Sequence, residues 1–195
     1  MISVIIPYYE SDADKPFVLK TCTDSLKGYD EIIISSNVRE GYAIPINRGL
    51  RLAKGDFLIV MNDDLVLTKG SLTDLVNINA VTSPLIDNKS QSFWGCCFCI
   101  PRWVYEKVGG LDERYRISYF DDDDYINELR KHDIPMQSVP TVSFENQCGG
   151  GRTLHTFDDH DVFFEENKKK FMEKWGYSPA YLDGYFQTAG RLPEK

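Results

Sequence analysis

The chain has 195 residues, 42% hydrophobic and 27% charged, a composition that suits one ordinary globular domain and excludes a disordered chain. Lys and Arg total 22 against 30 Asp and Glu. The resulting net charge of −8 argues against nucleic acid as a main partner, but leaves room for local phosphate binding through a divalent cation. No apolar run approaches the roughly 20 residues of a membrane span, and residues 1–7 lack the marks of a secretory signal. The five cysteines are Cys22, Cys96, Cys97, Cys99 and Cys148. Three of them crowd an apolar run, as in a buried strand of a cytoplasmic protein rather than a disulfide framework or zinc site.

Residues 2–7 (ISVIIP) form a continuous apolar run closed by proline, the pattern of a strand buried on both faces. Tyr8 and Tyr9 open what reads as a polar loop. A helix is expected from Asp14 and Pro16 to Gly28, with Val18, Leu19, Cys22 and Leu26 at helical spacing. Residues 31–36 (EIIISS) read as a second buried strand. Pro45 opens a helix carrying Ile46, Leu50 and Ala53, and Gly55 closes it. Residues 56–61 (DFLIVM) are a third strand, which runs into Asn62-Asp63-Asp64. This β-α-β-α-β succession predicts an α/β fold with a mostly parallel sheet and helices on its faces. Ligands bind beyond the carboxyl ends of such strands. Pro7, Tyr8, Tyr9 and Glu10, then Ser35, Ser36 and Asn37, then Asn62, Asp63 and Asp64 all fall on that edge.

The second half predicts a short helix over 71–78, a strand over 92–100, and a helix from Pro101 to Val108 broken by Gly109 and Gly110. A helix follows the acid run 121–124 and ends near His132. Residues 136–144 read as extended and interrupted by Pro140. A glycine loop at 149–151 and an amphipathic helix over 158–175 complete the pattern. No internal repeat or interdomain linker is present.

Two acidic clusters carry the chemistry. Carboxylates at the exposed end of a strand, as at 62–64, suit a hard cation shared with substrate phosphates, and Asn and Asp there also suit a simple turn. The run Asp121 to Asp124 suits helix capping. It also exceeds what capping needs, and crowded like charges resist ionisation, as a general base near neutral pH requires.

The chain resembles the inverting nucleotide-sugar glycosyltransferases of family 2, with the GT-A fold, over roughly residues 2–176. Several stretches carry the resemblance in the family's order. They are Val4 to Tyr9, Gly41-Tyr42-Ala43 through Asn47-Arg48-Gly49, and Ala53 to Asp56. They continue with FLIVMNDDL at 57–65, Val108 to Glu113, the run 121–124, and Asn167, Phe171 and Lys174-Trp175-Gly176. The resemblance implies one GT-A-type, Rossmann-like domain over 1–176. Residues 1–90 would form its nucleotide-sugar half and 91–176 its acceptor and catalytic half, leaving 177–195 as a tail or arm.

The resemblance also implies roles. Asp122 matches the catalytic base and Asp121 its neighbour. Asp64 matches the carboxylate on the metal of the donor diphosphate, with Asn62 at the first position of that motif and Asp63 assisting. Trp94 and Gly95 match the stretch lining donor sugar and acceptor. Pro7, Tyr8 and Glu10 match the nucleoside loop. Ser35 and Ser36 stand where the family often has Asp. Phe144-Glu145-Asn146 occupies the neighbourhood of a family histidine ligand, for which His155 is the first candidate and His160 the second.

The expected reaction transfers a sugar from a nucleoside-diphosphate sugar to a glycan or other hydroxyl acceptor, with Mn²⁺ or Mg²⁺ and inversion. Arg48, Arg152 or Lys168 to Lys170 could add positive charge near the diphosphate. Trp94, Tyr119 and Phe120 could stack on sugar rings. An inactive nucleotide-sugar or carbohydrate-binding module of the same fold is the alternative. A nucleotidyltransferase fits less well, because Tyr8 to Ser11 is no glycine-rich basic loop. No G-x-G-x-x-G supports a dehydrogenase.

Overall fold

A computed structural model describes residues 1–9, 15–37, 40–148 and 159–177. The strands are β1 (Ile2–Tyr9), β2 (Glu31–Asn37), β3 (Phe57–Met61), β4 (Leu65–Lys69), β5 (Val81–Ile86), β6 (Cys97–Pro101) and β7 (Met136–Asn146). The helices are α1 (Lys15–Ser25), α2 (Ala43–Leu52), α3 (Arg102–Val108), α4 (Asp121–Lys131) and α5 (His160–Trp175). The sheet order is β2-β1-β3-β6-β5-β7-β4. Five of the seven strands run the same way, and β6 and β4 oppose them, so the sheet is mostly parallel as expected.

Strand alternation divides the core into two faces. On one face Ile5, Leu58, Val60, Phe98 and Ile100 pack against Ile46 and Leu50 of α2, Val104 of α3, and Tyr125 and Leu129 of α4. On the other, Val4, Ile6, Ile59, Met61, Cys97 and Cys99 pack against Cys22 of α1, Leu26 just beyond it, and Leu72 and Leu75. Helices therefore cover both faces. A third cluster, Tyr115, Phe120, Phe164 and Phe171, docks α5 beside α4. All five cysteines are free thiols, and Cys22, Cys97 and Cys99 are buried.

Several local expectations change. β1 runs on through Pro7 to Tyr9, so Tyr8 and Tyr9 are strand and not loop. The last β3 partner is Val60 against Ile5, so beyond it β1 keeps only β2 as a neighbour, where a missing N–H is tolerated. β2 is an edge strand, and Ile34 on it is 49% exposed. The helix over 71–78 shrinks to a 3-10 turn, Leu72–Leu75, started by a reciprocal Ser71–Asp74 capping box. The strand expected over 92–100 begins only at Cys97. β4 and β5 carry no simple alternation and were not foreseen. Pro140 does not end β7. The register jumps from Pro84↔Val139 to Leu85↔Ser143, so the proline sits in a bulge.

Candidate active site

β6 runs antiparallel to β3 with Cys97 opposite Met61, so the chain entering β6 arrives where β3 ends. That geometry sets Trp94, Gly95 and Cys96 beside the first acidic cluster. The Asn62 N–H donates to the Cys96 carbonyl at 2.9 Å. Tyr42, just before α2, holds its hydroxyl 2.8 Å from Asn62 Oδ1 and 2.7 Å from the Gly95 carbonyl. Burial keeps that phenol's pKa far above its usual value, so it remains a donor.

Asp63 and Asp64 follow at the strand end and are almost fully buried, at 6% and 2% exposure. The Asp64 carbonyl accepts from the Gln147 N–H at 2.8 Å, which ties the end of β7 to the motif. Burial, assisted by the fields of Asp63 and Asp64, pushes the Cys22 thiol to about 12. Among the described residues no three His, Cys, Asp or Glu side chains group as a self-sufficient metal site. Two carboxylates at a ligand edge nevertheless fit a hard cation that takes its other ligands from phosphate and water. Asn62 already accepts the Tyr42 hydroxyl, so Asp63 and Asp64 are the residues that would hold such an ion.

The second acidic cluster meets the same stretch at Gly95. A β-carbon on Gly95 would lie 2.8 Å from Asp122 Cβ and 2.8 Å from Oδ2, so only glycine permits this approach. Cys96 lies in the fields of both Asp64 and Asp122, although burial is the main reason its thiol rises to about 12. The predicted metal motif and the predicted base therefore meet the adjoining residues Cys96 and Gly95, Asn62 through the Cys96 carbonyl and Asp122 against Gly95. Burial first, then repulsion from Asp122, raises the pKa of Asp121. Burial likewise raises that of Asp122, whose Oδ1 accepts from the Asp123 N–H at 3.0 Å.

Asp124 has a different task. It is 2% exposed and accepts from Tyr115 Oη at 3.0 Å, Trp175 Nε1 at 2.7 Å and Lys174 Nζ at 2.9 Å. Its carboxylate anchors α5. Of these acids, Asp122 lies against Gly95, and Asp124 is structural.

The chain enters α4 through a contorted turn. Ile117, Tyr119 and Phe120 have φ of 66°, 80° and 68°. Each left-handed non-glycine residue costs about 1–3 kcal/mol, which the surroundings must offset. Phe120 packs against Phe164 and Phe171 at 1% exposure, and Tyr119 meets Phe164 edge-on. Phe120 is thus core and does not stack on a sugar. The stretch 108–113 is gripped by Asn47, whose amide donates to the Leu111 carbonyl at 2.7 Å and accepts from its N–H at 2.9 Å. Gly110 is required because any β-carbon there would collide with Asn47.

Near the carboxyl ends of β1 and β2, Pro7 pairs with Ser35 and Tyr8 with Ser36, so these residues share one edge of the sheet. Ser35 is 4% exposed, and its Oγ has no hydrogen-bond partner among the described residues. Arg48 donates to the Ser36 carbonyl at 2.8 Å and pairs with Glu40, so its guanidinium links Glu40 to the end of β2. Trp94 is half-buried against the second core face, with its indole N–H enclosed and no acceptor among the described residues. Lys170 donates to the Arg114 carbonyl at 2.8 Å, supporting the turn before α4. Glu10, Arg152 and His155 lie outside the described residues, as does the side chain of His160.

Residues 18–80 match the family model described as glycosyl transferase family 2. Among solved structures, the Drosophila β1,4-galactosyltransferase 7 complexed with manganese, UDP-Gal and xylobiose aligns with a TM-score of 0.61 at 14% identity. That alignment covers 83% of this chain and 78% of the other. This is a GT-A fold with family 2 glycosyltransferase resemblance. The GT-A chain also aligns with the catalytic domain of the same Drosophila enzyme bound to xylobiose, with a TM-score of 0.60, 14% identity and the same coverages of 83% and 78%. A third neighbour is GalNAc-T7 with UDP, GalNAc and Mn²⁺, with a TM-score of 0.62 and 13% identity. It covers 91% of this GT-A chain, which spans 56% of that protein. No curated protein sequence matches. The family match includes Asn62 to Asp64 and stops before Asp121. Fold and family match together support a glycosyltransferase.

Sequence reasoning gave Tyr42 no role, although it lies in a stretch that carries the resemblance. Its hydroxyl reaches Asn62 and Gly95 only after folding, and periodicity carries no signal for such a contact. Cys96 was read simply as strand, because nothing local distinguishes it from Cys97 and Cys99.

Proposed function

We propose that this protein is an inverting glycosyltransferase that moves a sugar from a nucleoside-diphosphate sugar to an acceptor hydroxyl, with Asp122 as general base. The observation that carries the reading is the convergence on Gly95 and Cys96: Asp122 against the glycine, and Asp64 and Asp122 both acting on the thiol. A carboxylate opposite a diphosphate site is what a single in-line displacement requires.

In this reading Pro7, Tyr8, Glu10 and Ser35 surround the nucleoside, and residues 1–90 form the donor half. Asp63 and Asp64 hold the metal, with His155 as a further candidate ligand. Bound Mn²⁺ or Mg²⁺ supplies positive charge that stabilises the departing diphosphate. Asn62 orients Tyr42, which braces Gly95 and so the floor beneath the sugar. Trp94 offers its indole N–H to a sugar or acceptor oxygen. Asp122 takes the proton of the attacking hydroxyl, and burial raises its basicity. Attack from the face opposite the leaving group inverts the anomeric centre. UDP-sugar donors and sugar acceptors of the neighbouring structures make a hexosyl donor the first choice.

The test is transfer or donor hydrolysis from a panel of UDP- and GDP-sugars with Mn²⁺, with the anomeric configuration of the product read by NMR. Release of the nucleoside diphosphate with an inverted product supports the reading. Donor binding without turnover across the panel would favour the inactive binding module, and a retained product would remove the single displacement.

A further inference from the structure

Asn167 lies on α5 at 0% exposure, more than forty residues along the chain from the acid run. Its amide nitrogen donates to the Arg116 carbonyl at 2.8 Å, the Ser118 carbonyl at 2.9 Å and the Tyr119 carbonyl at 3.3 Å. Its oxygen accepts from the Arg116 N–H at 3.1 Å and from Lys170 Nζ at 3.2 Å. One side chain thus bonds four backbone groups of a turn that contains three left-handed non-glycine residues. Gly41 closes the turn from the other side, where a β-carbon would lie 2.6 Å from the Ile117 nitrogen. Phe120, the last residue of the turn, caps α4 with no side-chain hydrogen bond, and Asp121 and Asp122 follow at once.

We infer that Asn167 is a positioning residue: by clamping the Arg116, Ser118 and Tyr119 carbonyls it holds the turn that aims Asp122 at Gly95. The inference deepens the proposed function and rests on it for the catalytic consequence. Buried carbonyls on a contorted turn need a donor, and a primary amide supplies two N–H groups and an acceptor in one rigid plane. A helix beginning one residue beyond a strained turn inherits its direction from that turn. Release of the clamp lets Ile117 and Tyr119 relax toward negative φ, which rotates the first turn of α4 and withdraws Asp122 from Gly95.

The experiment compares the full chain with Asn167→Ala and Asn167→Ser, the latter keeping one hydroxyl donor. Two readouts are taken on folded protein. One is transfer kinetics with the best donor. The other is NMR titration of the Asp121 and Asp122 carboxyl carbons, which are faced by Tyr42, Cys96 and Asp123. We expect kcat to fall about 10²-fold in Asn167→Ala, the scale of a misplaced reacting group. KM for donor should stay within twofold, and Asn167→Ser should recover part of the loss. The carboxyl midpoints should drop toward ordinary aspartate values as water reaches the pair. Unchanged midpoints and unchanged kcat in folded variants overturn the inference, as does loss of the folded state in both, which assigns Asn167 to folding alone. If the wild type transfers no sugar, the proposed function fails, and the titration still decides whether Asn167 positions the pair.

Discussion

Gly95 and Asp122 approach so closely that a single methyl group at position 95 would lie 2.8 Å from the carboxylate oxygen. Gly95→Ala should therefore displace Asp122 while leaving the nucleotide side intact. We expect transfer to fall by about 10²-fold, as for a misplaced catalytic group. Binding of UDP or GDP, measured by calorimetry, should remain within twofold. Normal turnover in the alanine variant would mean that Asp122 does its work elsewhere.

The acid run should separate by function. Asp122→Asn should lower transfer by at least about 10²-fold, the usual scale for a positioned base, with the fold preserved. Asp124→Asn should instead weaken the fold by about 2 kcal/mol, because hydrogen bonds to a buried charge are lost. Urea unfolding of both variants reads the difference. A stability loss confined to Asp122→Asn would reverse the assignment.

Two sets of carboxylates give opposite pH dependence. Asp121 and Asp122 are raised above their ordinary values, chiefly by burial, so the folded state binds more protons than the unfolded chain above about pH 4. Stability from this source falls as pH rises from there through the folded values. Asp121→Asn should therefore gain stability relative to wild type between pH 5 and pH 8. Asp112 moves the other way. Burial opposes its ionisation, but Arg114 and Lys174 hydrogen bonds outweigh it and hold the group down at about 2. Its contribution is present above about pH 4 and is lost as pH falls toward 2. Unfolding series with Asp121→Asn and Asp112→Asn check both slopes.

Diphosphate binding should depend on Asp64 and on a divalent ion. UDP or GDP affinity should drop on adding chelator, and Asp64→Ala should abolish the response to Mn²⁺. Equal affinity of wild type and variant at saturating Mn²⁺ would place the diphosphate elsewhere. Ser35, with its enclosed and unbonded hydroxyl, should tune base preference. We expect Ser35→Ala to change the ratio of UDP to GDP affinity more than the sum of the two.

Gly110→Ala tests how the 108–113 stretch is held. The new β-carbon would collide with the Asn47 amide that grips Leu111. A loss of about 1–3 kcal/mol is expected, the cost of overpacking or of a broken buried contact. An unchanged melting temperature would show that Asn47 has room to move.

Much of the first half was legible in residue order. The runs at 2–6 and 57–61 are apolar on both faces, and the helices between them carry residues at helical spacing, so β-α-β-α-β followed directly. β4 and β5 were missed because their sequences, LVLTK and VTSPLI, lack alternation, and a proline interrupts the second. β7 was read as broken at Pro140, since a bulge is a relation between two strands and not a property of one. β2 looked buried because EIIISS is apolar, yet the sheet ends there, and the place of a strand in the sheet is set by its neighbours.

The sequence alone determined which residue types were available and the edge on which they would stand: Asp63 and Asp64 after β3, Ser35 near the end of β2, Asp121 and Asp122 at a helix start. Those placements follow from local periodicity, because a strand's end and a helix's beginning are defined within a few residues. Tertiary structure alone decided how the four acids divide their work. Asp122 meets Gly95 because an antiparallel β6 starts where β3 ends, and Asp124 turns to Lys174 and Trp175 because α5 packs back on α4. Consecutive residues at a helix start point in directions about 100° apart. What each one meets depends on segments some twenty-five to fifty residues away, and no local pattern encodes that meeting.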